Sequence, residues 1–193
     1  MMEWLWFILS TIWLIWLFFL LKKRNNTLRL TFQKNDREIG LSIIICVRGL
    51  APHFENYFEK IISQNYTLFE LIIVSKEISP QLKNSINSWI EKYPQVKHYE
   101  ILDNIHPYLD KKQALNLGIS KANYDWIVTI DDDCYPENDA WLSSIHLHIS
   151  TFGTDILLGL SPYISQSGWV NQWIRFDAFQ VAANYMYQTL AKN

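Results

Sequence analysis

With 193 residues, 49% of them hydrophobic and 15% aromatic, the chain has the apolar content to build a core and is excluded from the disordered class. Its 17 Lys and Arg against 19 Asp and Glu leave a net charge of −2, which argues against a nucleic-acid-binding surface. The two cysteines, Cys46 and Cys134, lack CxxC spacing, so they point to neither a disulfide nor a zinc site and are compatible with a reducing compartment.

Residues 4–21, WLWFILSTIWLIWLFFLL, carry no charge over about 18 residues, which at helical rise nearly spans the hydrocarbon core of a bilayer. Lys22, Lys23 and Arg24 follow at once, with Arg29 close by, whereas Glu3 is the only charged side chain before the run. The positive-inside rule puts the remaining chain in the cytoplasm. A cleavable signal peptide would show a basic leader, a shorter apolar core and a small-residue cleavage site instead. Residues 1–24 are thus expected to form a transmembrane anchor with a basic cytoplasmic flank, residues 25–40 a polar linker, and residues 41–193 a single domain.

In that domain β-branched runs alternate with helical periodicity. Residues 41–47, LSIIICV, predict a first strand, and Phe54, Tyr57, Phe58, Ile61 and Ile62 predict a helix over 51–64 with Pro52 in its first turn. Residues 69–74 predict the second strand. A second helix over 80–93 places Leu82, Ile86, Trp89 and Ile90 on one side, and a third strand covers 96–102. A helix over 111–122 turns Ala114, Leu115, Gly118 and Ile119 inward. The strand Trp126, Ile127, Val128 and Ile130 follows, apolar enough to have both faces covered. A helix over 138–149 and a further strand over 156–160 complete the pattern, which reads as an α/β, doubly wound, parallel sheet. The aromatic tail from Trp169 to Tyr187 packs on the domain or faces a membrane surface or acceptor groove.

The fourth strand runs straight into Asp131, Asp132 and Asp133. Three adjacent carboxylates repel one another, so a chain tolerates them at a solvated turn or where a cation neutralises them. At the carboxyl end of a buried strand they look like a metal site, with Asp131 and Asp133 sharing a face if the chain stays extended. Hard oxygen ligands with few partners suit Mg²⁺ or Mn²⁺ bridging substrate phosphates. Arg48 and Gly49 leave the first strand, where glycine serves either a close ligand approach or an ordinary turn. Lys111 and Lys112 open a helix, where cations oppose the macrodipole. They form either a phosphate contact or a solvated surface pair. His146 and His148 are two apart on a helix and make a poor metal pair; none of the five histidines is assigned a role.

LSIIICVR, then YFEKIISQNYTLFELIIV, then KKQALNLGISKANYDWIVTIDDDCYPENDAWL resembles the inverting glycosyltransferases of family 2, most specifically over residues 111–142. The resemblance implies a GT-A-like fold with a Rossmann-like nucleotide-binding half, and transfer of a sugar, of hexosyl type, from a nucleotide-diphosphate sugar to a glycan or lipid acceptor. Asp131 and Asp133 would be the D-x-D that holds a divalent cation on the diphosphate. Arg48, Lys111, Lys112, Asp131 and Asp132 would contact the nucleotide sugar. Where the family carries one or two Asp after the second strand, this chain has Val74, Ser75, Lys76 and Glu77, so that contact is missing or remade by Glu77. The family's general base lies well beyond the D-x-D, and Asp177, the only acidic residue after Asp155, is not assigned that role. The chain thus resembles the nucleotide-binding half of a longer enzyme that would normally continue into an acceptor half, or that a partner chain would complete. The alternative is a catalytically inactive, membrane-tethered module that binds a nucleotide sugar or a partner.

Overall fold

Leu41–Arg48 (β1), Phe69–Lys76 (β2), Val96–Glu100 (β3) and Trp126–Asp131 (β4) are the strands of the computed structural model, which describes residues 11–13, 15–16, 38–102 and 110–191. They form a four-stranded sheet in the order β3-β2-β1-β4, parallel at every pairing. The helices are Phe54–Ile62 (α1), Pro80–Lys92 (α2), Asp110–Lys121 (α3), Trp141–Phe152 (α4) and Trp169–Ala191 (α5). The sheet and α1 to α4 lie in one compact unit, Gln33–Leu157; α5 lies in a second, made of Met1–Phe32 and Leu158–Asn193.

The β-branched runs decide which strands are central. Every residue of β2 is buried, and of β1 only Cys46 and Arg48 are not. One face of these strands, through Ile43, Ile45, Leu71 and Ile73, packs on Phe54 and Phe58 of α1, Leu82 and Ile86 of α2, and Leu142 of α4. Each such side chain contributes about 1.5–3 kcal/mol by leaving water. The other face, Ile44, Ile72 and Val74, receives α3 through Ala114. Gly118 lets α3 approach closely, since a Cβ there would lie 2.5 Å from Ile44 Cγ2. At α2, Ser79 Oγ accepts from the Leu82 amide at 3.2 Å and Pro80 takes the first helical position, so the helix starts where both residues favour it.

A polar staple joins the amino-terminal ends of the strands. Glu70, 4% exposed, accepts from Ser42 Oγ at 2.7 Å, Lys97 Nζ at 2.6 Å and the Asn123 amide at 2.5 Å. Burial alone pushes this carboxyl up, but Lys97, Asn123 and Ser42 outweigh it and hold it below the usual glutamate range.

Several expectations are corrected. β4 is an edge strand of the described sheet, paired only with β1, and its residues are half-buried or exposed rather than covered on both faces. Residues 156–160 form no strand, and Ile156 is 78% exposed. α1 begins at Phe54, so Pro52 sits in the turn before it. Ile90 and Ile119, expected inward, are 37% and 46% exposed because each lies at the margin of its helix's apolar face. Of the expected transmembrane run 4–21, residues 11–13 and 15–16 are helical and the rest lies outside the described residues, as does most of the linker. Among the described residues no helix is long and apolar enough to cross a membrane.

Candidate functional site

β1 sits between strands reached in opposite directions, with β2 on one side and β4 on the other. In open α/β sheets the crevice at such a switch point, outside the carboxyl ends of the strands, is where ligands bind. Here that end carries Arg48, the close of β2 and the acidic triplet. Cys46 stands directly across from Asp131 in the β1–β4 register.

Lys111, in the first turn of α3, reaches over the sheet end to Asp131, Nζ to Oδ1 2.6 Å. Asp131 raises the Lys111 pKa through this hydrogen bond. The contact also offsets the cost of a cation at a helix amino terminus. Lys112 is exposed on the same turn. The lysine and carboxylate side chains are 74% and 59% exposed, so water screens the pair and it is readily opened.

β4 ends at Asp131, and the Cys134 amide donates to the Asp131 carbonyl at 3.0 Å, so Asp132 and Asp133 occupy a turn. Strand alternation therefore does not govern their directions. Asp133 is exposed and Asp132 half-buried. Burial first, then Asp133, and more weakly Asp131, raise the Asp132 carboxyl above its ordinary range, against backbone hydrogen bonds from Asp132 itself and Arg48. The middle carboxylate is thus turned to the end of β1, where Lys111 also acts on it. Cys46, half-buried beside it, has its thiol pushed up by burial, with Lys111 pulling the other way.

Arg48 donates to Glu77 Oε2 at 3.3 Å, which brings the residue following β2 to the end of β1. Glu77 has φ +54°, Ala51 +36° and Gly49 +68°, three left-handed residues in the two loops facing the crevice. Such backbone is uncommon outside glycine and gathers at binding sites. No atom lies within 4 Å of where a Gly49 Cβ would stand, so this glycine serves the turn. The loops are joined by Gly49 N to Lys76 O at 3.4 Å and Ser79 N to Gly49 O at 3.3 Å.

Tyr135, part of the Cys-Tyr-Pro that follows the triplet and assigned no role from the sequence, has its ring 4.5 Å from that of Tyr57, with Lys60 Nζ 3.7 Å from its centroid. A depression in the other unit, lined by Gln166, Trp169, Asn171 and Ile174, has no ionisable side chain and is no rival.

Among the described residues no group of three or more His, Cys, Asp or Glu side chains forms a metal cage. The donor set fits a different arrangement, in which one or two carboxylates share a hard cation with substrate phosphates. Asp131 and Asp133, both exposed on either side of a half-buried carboxylate, suit that arrangement.

The family described as Glycosyl transferase family 2 matches residues 42–192. The chain belongs to glycosyl transferase family 2. Among solved structures, it is similar to the mannosyltransferase PcManGT from Pyrobaculum calidifontis, solved with GDP-Man and Mn²⁺, at 17% identity and TM-score 0.55. That likeness covers 70% of this chain and 40% of the mannosyltransferase, and it shows the fold, a parallel sheet consistent with GT-A. S. aureus TarS in complex with UDP matches at 13% identity and TM-score 0.49, over 63% of this chain and 39% of TarS. This family 2 chain therefore spans about 40% of the length of these structures.

Proposed function

We propose that this family 2 chain binds the nucleotide-diphosphate sugar donor of a membrane-anchored, inverting glycosyltransferase that acts on a glycan or lipid acceptor. The observation that carries the reading is the pairing of Lys111 with Asp131 at the β1–β4 switch point, beside the half-buried Asp132. The mannosyltransferase solved with GDP-Man and Mn²⁺ supports it by shared fold.

In this reading Asp131 and Asp133 hold a Mg²⁺ or Mn²⁺ ion. Bound there, the ion offsets negative charge that grows on the diphosphate as the glycosidic bond breaks. Lys111 exchanges Asp131 for a phosphate oxygen, and Lys112 adds a second cation on the same turn. The amides at the start of α3 favour the same anion. Arg48, held by Glu77, lines the nucleotide side, and Glu77 takes over a contact that an Asp after β2 supplies elsewhere in the family. Residues 1–24 anchor the chain, residues 25–40 link it, and residues 41–193 face the cytoplasm, where nucleotide sugars are made.

Calorimetry with UDP and GDP in Mn²⁺ buffer tests the site. The wild-type chain is expected to bind one of them only with the cation present, and Asp131→Ala with Asp133→Ala to lose that binding. Absence of binding by folded wild-type protein, or binding that survives the double substitution, would overturn the reading.

A further inference from the structure

The loop that carries Asp133 is fastened on the side away from β4 by one buried carboxamide. Gln64 follows α1 and is 7% exposed. Its Nε2 donates to Asn138 O and to Lys60 O, each at 2.9 Å, and its Oε1 accepts from the Leu142 amide at 3.3 Å. Both donor hydrogens and one acceptor site are therefore in use. α4 has no cap from its own N-cap residue, Ala140, so Gln64 does for Leu142 what a capping side chain would do. The neighbouring residue reinforces the joint: Asn65 N donates to Asp139 O at 2.8 Å, and Ser143 Oγ donates to Asn65 O at 2.8 Å. Tyr135, between Tyr57 and Lys60, ties down the first half of the same loop.

We propose that Gln64 is a positioning residue, which fixes the segment after Asp133 on α1 and thereby sets where the acidic triplet meets the diphosphate. The loop is anchored by the β1–β4 ladder before the triplet and, after it, by Tyr135 and by the joint that Gln64 makes with Asn138 and Leu142. With Gln64 removed, the segment after Asp133 keeps only Tyr135 and the Asn65 contacts. A carboxylate displaced by about an ångström forfeits much of the benefit of a preorganised site. The effect on ligands rests on the nucleotide-site reading above, whereas the effect on the loop does not.

The test uses the full chain with Gln64→Met, which keeps the side chain's length and loses its hydrogen bonds. Amide exchange across residues 134–142 is expected to quicken about tenfold or more while β1 and β2 keep wild-type rates. Mn²⁺-dependent UDP or GDP affinity, measured well below the unfolding temperature, is expected to fall about tenfold. Ile86→Ala, a buried α2 change remote from the loop, is the control and should leave that affinity unchanged. Should Gln64→Met not fold, Ser143→Ala removes an exposed bond of the same joint and should quicken exchange in the same segment. Unchanged exchange overturns the proposal, as does faster exchange with wild-type nucleotide affinity. If wild-type protein binds no nucleotide while Gln64→Met still loosens the loop, the loop role stands and the nucleotide-site reading falls.

Discussion

Asp132 shows how one residue's burial separates three chemically identical neighbours. Its folded-state carboxyl lies above the ordinary value of 3.8, through burial and then the charge of Asp133. A raised acid penalises the ionised folded protein. The penalty is absent below the unfolded value, grows as pH rises past 3.8, and is complete above the folded value. Asp132→Asn is therefore expected to raise the unfolding temperature at neutral pH by roughly 2 °C, with no difference near about pH 3, as followed by thermal denaturation. The triplet was legible in the sequence as an acidic strand end. Which member is buried was not, because the turn at Asp132 depends on β1 lying alongside. Glu77 was named as a candidate replacement contact, but its pairing with Arg48, like the bonds of Gln64, was obscure for a related reason. Glu77's partner, Arg48, is 29 residues away, and Gln64 bonds Asn138 and Leu142 across more than 70 residues, distances over which composition and periodicity carry no signal.

At the scale of elements, alternation of β-branched runs with amphipathic stretches was enough to place four parallel strands and the helices between them. It failed where neighbours decide the outcome. β4 reads as apolar as a central strand, yet it lies at the edge of the described sheet, and residues 156–160 are β-prone but find no pairing partner among the described residues. Gly118 was assigned to the inward face of α3, and its role is closeness: Ile44 Cγ2 would stand 2.5 Å from an added Cβ. Gly118→Ala is expected to cost about 1–3 kcal/mol by overpacking α3 against β1 and β2, measured by denaturant unfolding. A smaller loss would mean that α3 shifts freely, and Lys111 with it.

At the scale of the molecule, the uncharged run 4–21 and the basic cluster after it make a prediction separate from the nucleotide site. The full chain is expected to stay with membranes after alkaline carbonate extraction. Release into the supernatant would rule out the anchor and with it the cytoplasmic placement argued from Lys22, Lys23 and Arg24.

The strand order carries a consequence for how the unit is assembled. From β1 the chain winds outward through β2 to β3, each crossover closing over a short separation, and then returns across β1 to lay down β4 on the far side. Cys46 and Asp131, adjacent in the finished ladder, are 85 residues apart along the chain. Closing so distant a pair costs more entropy than closing the shorter βαβ crossovers before it. A nascent chain can therefore complete β1, β2 and β3 as a small sheet while the ligand crevice does not yet exist. On this ordering the binding end is completed only once β4 docks beside β1.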